Sequence, residues 1–240
     1  SKVGMYLYNS PEYAETNFAA MKISGVPINV NYRYLDDELH YLLENADIEA
    51  LVFHSSLGDR VARVCDRLPI LKAMICVDDG PAEDGSMGPA TGIPYDTFLS
   101  QASGAAKTNP QGDEIYMLYT GGTTGMPKGV IYPLDAFTEF FMRGFPPMIG
   151  LPPVEDAAQF GPAARQMVDA NSTVVAMSGP PLMHGTGCWL GLMFPHMLGG
   201  TSVLLENRGF KPEEVWSTVE RDRVSQIIIV GDAFAKPLLR

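Results

Sequence analysis

Cysteine is scarce in this sequence: 3 in 240 residues, Cys65, Cys76 and Cys188, with no C-x-x-C pair and one left over from any pairing. That excludes a disulfide scaffold, implies no metal site, and predicts reduced, buried thiols in a cytoplasmic protein. Positive charge is also short, with 17 Lys and Arg against 28 Asp and Glu and a net charge of −11. A nucleic-acid partner or an anionic membrane surface demands basic patches, so neither is expected, and an anionic ligand must be met by local groups. No apolar run reaches the roughly 18 residues of a transmembrane helix. Of the 4 histidines, His40, His54 and His196 stand singly. They lack the i, i+4 spacing of a zinc helix, so each is expected to be structural. A hydrolase elbow is missing as well, because Ala176 stands two positions before Ser178 where G-x-S-x-G needs its first glycine.

Apolar side chains are plentiful, 46% of the chain against 19% charged, enough for one large domain with a buried core. Residues 3–8 read as a strand. Ser10, Pro11 and Glu12 then supply a cap, a proline at the first helical position and an acid in the first turn of a helix that Gly25 ends. Residues 26–30 form a second strand, and Asp36 can cap a helix with Leu39, Leu42, Leu43 and Ala46 on its core face. Strands over 48–53 and 73–77 enclose a helix over 58–68. This alternation predicts an α/β fold, parallel strands covered by helices.

Residues 78–94, rich in Gly, Pro and acids, read as a surface insertion. A helix over 134–143 should turn Phe137, Phe140 and Phe141 inward. Pro146, Pro147, Pro152, Pro153 and Pro162 make residues 145–171 irregular. Strands follow over 173–177, 201–205 and 224–230, with a helix over 188–198 bent near Pro195 and stopped by Gly199-Gly200, and an amphipathic helix over 211–221. The chain starts at Ser1 without a charged leader, and a helix opening after Asp232 stops at Arg240. Truncation at both ends of a longer domain is therefore expected, with sheet edges exposed at residues 3–8 and 224–230.

The richest stretch is YTGGTTGMPKGV, residues 119–130, after an apolar strand over 115–118. Gly121, Gly122 and Gly125 can take positive φ and let backbone N–H groups converge on an anion. Thr120, Thr123 and Thr124 add hydroxyls for phosphate oxygens or a metal-bound water, and Lys128 adds a point charge on a flexible stem. The spacing is not that of a Walker loop, because Pro127 precedes the lysine and Gly129 follows it. Nor is it a dinucleotide fingerprint: Gly121-Gly122 is not G-x-G, and Leu190 occupies the third-glycine position after Gly185-x-Gly187. The stretch is read as a polyphosphate loop in preference to a Gly-rich hairpin with a solvated lysine.

This run resembles the signature loop of the adenylate-forming enzymes, the superfamily of acyl-coenzyme A synthetases, luciferases and peptide-synthetase adenylation domains. The likeness extends from SPEYAETNFAAMKISGVPINVNYRYLDDELHYLLENADIEALV to PPLMHGTGCW, and is strongest to bacterial acyl-coenzyme A synthetases acting on fatty or related acids. It implies that residues 1–240 are part of the large N-terminal AMP-binding domain, without the C-terminal domain. It also implies ATP, Mg²⁺ and coenzyme A as co-substrates and a small-molecule carboxylic acid as the group activated. The resemblance assigns the phosphates to Thr120, Gly121, Gly122, Thr123, Thr124, Gly125 and Lys128, with Lys128 neutralising charge. His184, in PLMHGTG, matches a position bordering the acyl carboxylate and the adenylate phosphate. It would share a rim with the signature loop if both strands ran parallel in one sheet; the alternative is a histidine satisfied by loop backbone. The family's later ribose-binding aspartate, hinge and second lysine have no match in these residues. A binding-only nucleotide protein and an adenylate-forming enzyme for aryl or amino acids are the competing readings. Asp232 and Glu206 end apolar strands and receive no role.

Overall fold

The computed structural model describes residues 1–81, 91–104, 111–122, 125–205 and 207–240. The chain divides into two compact units, Ser1–Leu134 and Asp135–Arg240.

The first unit alternates β1 (Lys2–Tyr6), α1 (Pro11–Lys22), β2 (Val26–Asn29), α2 (Asp36–Asn45), β3 (Ala50–His54), α3 (Gly58–Cys65) and β4 (Ala73–Val77). After them come β5 (Ile93–Pro94), α4 (Tyr95–Ser100), β6 (Ile115–Gly122) and β7 (Gly125–Pro133). The parallel sheet has the order β2-β1-β3-β4-β5, so residues 3–8, expected at an edge, are flanked by strands on both sides. Tyr6, Ile28, Leu51 and Phe53 from its strands and Leu39, Leu42 and Val61 from α2 and α3 are fully buried together, as expected for parallel strands covered by helices. The α1 start is as read: Ser10 accepts the Tyr13 N–H at 3.2 Å and Pro11 opens the helix. Its stop differs, since Ser24 takes the left-handed backbone (φ 54°), and Gly25 matters because a Cβ there would lie 3.1 Å from the Ala20 carbonyl oxygen.

Asp36 is not the cap of α2. Leu35 holds that position and donates its N–H to Glu38 Oε2 at 3.1 Å, while Asp36 receives two hydrogen bonds from Arg63 of α3, at 2.6 and 3.0 Å. The Arg63 guanidinium holds the Asp36 carboxyl below the usual carboxylate range. Much of the 78–94 insertion lies outside the described residues, and its end adds β5 beside β4. β6 and β7 form a separate antiparallel pair.

The second unit contains α5 (Leu134–Gly144), α6 (Phe160–Asp169), β8 (Val175–Ser178), α7 (Gly185–Cys188), α8 (Phe194–Met197), β9 (Thr201–Val203), α9 (Pro212–Asp222), β10 (Gln226–Ile228) and α10 (Asp232–Leu238). Its sheet is parallel, in the order β10-β8-β9. The strand expected over 224–230 is the edge strand β10, with Ile228 buried but Val230 49% exposed. On α5, Phe137 and Phe141 are buried as expected and pack against Trp189. Phe140 is 56% exposed, because one residue along a helix turns the side chain by about 100°. Residues 145–171 are more regular than expected. Pro162 is the third residue of α6, in the first turn where an N–H has no intrahelical acceptor to lose. Between α7 and α8 the chain makes a π-helical turn, Trp189–Met193, whose wider winding accommodates Pro195. Gly199, at φ +72°, terminates the segment.

Candidate functional site

The signature stretch is a β-hairpin. Tyr119 lies opposite Gly129, Thr120 opposite Lys128, and Gly122 opposite Gly125, with an irregularity between Thr120 and Gly122. There Gly121 faces both Met126 and Pro127, a bulge that tolerates the missing proline N–H. The hairpin geometry set aside in the sequence reading is thus the observed one. It arises because Thr120–Lys128 pairing continues the ladder from Ile115–Pro133 almost to the tip. Gly121 and Gly125 do not adopt positive φ, and a Cβ on either would meet nothing within 4 Å. Extended strands point successive N–H groups to opposite sides, so the converging cradle expected at Gly121 is not formed by the described residues. Thr123 and Thr124 lie outside them.

What the hairpin presents is chemically specific. Thr120, Gly121, Gly125 and Lys128 are exposed and Pro127 is buried. Directly opposed residues of an antiparallel pair project from one face, so the Thr120 and Lys128 side chains leave the same face of the hairpin. Lys128 is the sole cation in residues 119–130. A hydroxyl donor beside a mobile positive charge on an open backbone suits phosphoryl oxygens.

The base of the hairpin is held firmly. The Asn29 carboxamide, 7% exposed at the end of β2, accepts the Tyr119 N–H at 2.7 Å and donates to the Tyr119 carbonyl at 2.8 Å. The Tyr119 hydroxyl donates to Asn45 Oδ1 at 2.7 Å, at the end of α2. Burial, with Tyr41 and Asp47 nearby, pushes its phenol above the ordinary range, which keeps it a donor. The Tyr119 ring lies over Gly129, where a Cβ would approach it to 2.9 Å. The sequence reading missed Asn29. Its only signal was a polar residue closing the apolar strand VPIN.

His184 belongs to the second unit. It is exposed, in the cap position of α7 with extended backbone (φ −103°, ψ 140°), and its N–H donates to the Pro181 carbonyl at 3.0 Å. The loop before it folds tightly on Ser178, whose hydroxyl donates to the Pro180 carbonyl at 2.6 Å. Gly187 and Gly191 make that possible: a Cβ on Gly187 would lie 2.5 Å from the Pro181 carbonyl oxygen, and one on Gly191 2.5 Å from Ser178 Cβ. Ser178 is therefore a buried latch in the loop. β6 pairs with β7, whereas β8 pairs with β9 and β10, so the single parallel sheet that would put Lys128 and His184 on one rim is not the arrangement found.

Several other titratable groups make contacts within the fold. His54 is buried and its Nδ1 accepts the Tyr8 N–H at 2.9 Å, while His196 Nδ1 lies 2.7 Å from the Leu192 carbonyl. Asp232 pairs with Lys236 at 2.7 Å, and Glu206 lies outside the described residues. All three cysteines are free, and burial pushes the Cys65 thiol up to about 11. Among the described residues no group of three or more His, Cys, Asp or Glu could hold a metal, and no helix is long and apolar enough to cross a membrane.

Comparison with known proteins bears on both parts of the chain. The 3-oxocholest-4-en-26-oate–CoA ligase of Rhodococcus rhodochrous is 36% identical over 239 residues, 99% of this chain and 41% of that protein. A medium/long-chain-fatty-acid–CoA/3-oxocholest-4-en-26-oate–CoA ligase of Mycolicibacterium smegmatis is 35% identical over 99% of this chain and 42% of its own length. The chain thus spans about two fifths of the curated relatives it matches. Among solved structures, the anthranilate CoA ligase AuaEII in complex with anthranoyl-AMP superposes with a TM-score of 0.71 over 98% of this chain and 43% of that one, at 18% identity. That likeness carries the fold, the α/β arrangement expected from the resemblance. Residues 1–238 match the AMP-binding enzyme family, and the chain belongs to that family.

Proposed function

We propose that the protein carrying this chain activates a carboxylic acid with ATP and transfers the acyl group to coenzyme A. The carboxylate oxygen attacks the α-phosphorus, the bond to pyrophosphate breaks, and the acyl-adenylate forms. The coenzyme A thiol then attacks the acyl carbon, gives up its proton, and AMP leaves. The observation that carries this reading is the exposed pairing of Thr120 with Lys128 on a hairpin, in a chain aligned over 99% of its length with CoA ligases. The first step develops charge on the departing pyrophosphate, and Lys128 neutralises it while Thr120 and the open backbone at Gly121 and Gly125 hold phosphoryl oxygens, with Gly122 assigned to the same phosphates. Thr123 and Thr124 are assigned to the same phosphates. His184 borders the reacting carboxylate.

Mg²⁺ keeps phosphate and water oxygens as ligands and needs few protein groups. A neutral hydroxyl such as Thr120 fits that donor set, and the ion supplies further charge neutralisation when bound with ATP. The relatives' substrates favour a fatty acid or a steroid side-chain acid as the carboxylate. Residues 1–240 are assigned to part of the large N-terminal domain, and the three free thiols fit a cytoplasmic protein.

The test is Lys128→Ala in the intact protein. Loss of one transition-state charge contact should slow ATP–pyrophosphate exchange by about a hundredfold to a thousandfold, roughly 2 to 4 kcal/mol. Thermal stability should hold, because Lys128 is exposed. AMP, not ADP, should accumulate with fatty acid and coenzyme A. Unchanged exchange in the folded variant, or ADP as product, would overturn the reading.

A further inference from the structure

β2 is an edge strand of the five-stranded sheet, and no backbone ladder joins it to β6. Asn29 takes the place of that ladder. Its carboxamide satisfies both the N–H and the C=O of Tyr119 at 2.7 and 2.8 Å, the two groups a neighbouring strand would engage. The N–H and C=O of one residue in an antiparallel ladder point to the same side, and both of Tyr119's are bonded to Asn29. Tyr119 is buried and Thr120, the next residue, is exposed. The attachment therefore sits at the boundary between the packed hairpin base and the part that meets solvent.

We propose that Asn29 is a positioning residue for the hairpin, a two-point anchor that fixes Tyr119 and so places the segment bearing Thr120 and Lys128. This rests on the reading of that segment as the phosphate site. A buried carboxamide bonded on both sides resists rotation where a surface contact would not. Asn45 plays the lesser part, since it holds only the distal hydroxyl of Tyr119 and is itself exposed.

Asn29→Asp keeps the size and one acceptor but places an oxygen without a hydrogen against the Tyr119 carbonyl. In the intact protein, amide hydrogen exchange over 119–122 and 125–129 should speed up about tenfold or more, while β1, β3 and β4 stay protected. With ATP and acid, kcat for pyrophosphate exchange should fall about tenfold with a smaller rise in the KM for ATP. Asn45→Ala should change hairpin exchange by less than about threefold. Unchanged hairpin exchange in Asn29→Asp, equal loosening of the whole sheet, or an Asn45→Ala effect as large as that of Asn29→Asp would each overturn the proposal. Should Asn29→Asp not fold, the wild type decides: the Tyr119 amide must exchange at least about tenfold more slowly than that of Gly121. The hydrogen-exchange results judge the anchor even if Lys128→Ala leaves activity intact, which would refute the phosphate reading alone.

Discussion

Two glycine-rich stretches, GGTTGMPKG and HGTGCWLG, look alike in composition and use glycine for opposite ends. In the first, Gly121 and Gly125 face open space, and nothing in the packing forbids a side chain. In the second, a Cβ on Gly187 would lie 2.5 Å from the Pro181 carbonyl oxygen and one on Gly191 2.5 Å from the Ser178 side chain. Absence of a Cβ leaves the backbone open at Gly121 and Gly125 of the hairpin. In the loop of the second unit it permits close packing. Gly129 stands between the two cases, since the atoms nearest to a Cβ there belong to the side chains of Tyr119 and Met117. A glycine's role is thus read from its neighbours, and composition is a poor guide to it.

The strongest way to break this comparison is Gly187→Ala. Both obstructing atoms are carbonyl oxygens, of Pro180 and Pro181, so the chain must move, and a loss of about 3 kcal/mol, the upper end of overpacking costs, is expected in urea unfolding. A loss under about 0.5 kcal/mol would show that the loop is soft. His184→Ala tests the same loop from its exposed side. Loss of one contact to a charged carboxylate, about 1.5 to 3 kcal/mol, should lower kcat/KM for the acid ten- to a hundredfold, with ATP affinity nearly unchanged. Normal acid kinetics with reduced stability would make His184 a packing residue.

Gly129→Ala should cost about 1 to 2 kcal/mol, because the Tyr119 ring and the Met117 sulfur can yield partway. A double variant with Tyr119→Leu should recover much of that loss if the ring is the obstacle, and no recovery would place the strain in the backbone. The smallest effect is Gly121→Ala. Its extended backbone accepts alanine, so stability should rise by about 0.4 to 1 kcal/mol through the unfolded chain, while the KM for ATP rises as the open face narrows. A stability loss above about 1 kcal/mol would dissolve the contrast between the two stretches.

The α/β fold was legible because the elements from β1 to β4 carry their own local signals. Ser10-Pro11 starts α1, and Leu39, Leu42 and Leu43 mark the buried face of α2. Errors fell where a signal had two physical outcomes. Pro162 breaks a helix interior but fits a first turn, Phe140 shares a helix with buried aromatics but not their face, and residues 3–8, expected at an edge, lie between two other strands.

For the site, the residue types alone determined the chemistry on offer: hydroxyl, cation and flexible backbone in one short run, and hence the family resemblance. Tertiary structure decided what those residues do with their neighbours. That Thr120 faces Lys128 across a hairpin, that Asn29, 90 positions from Tyr119, closes on both of its backbone groups, and that Gly187 is forced where Gly121 is free all depend on contacts between distant segments. Local sequence specifies torsional preference and side-chain chemistry. Close approach across the fold is set only when the whole core packs.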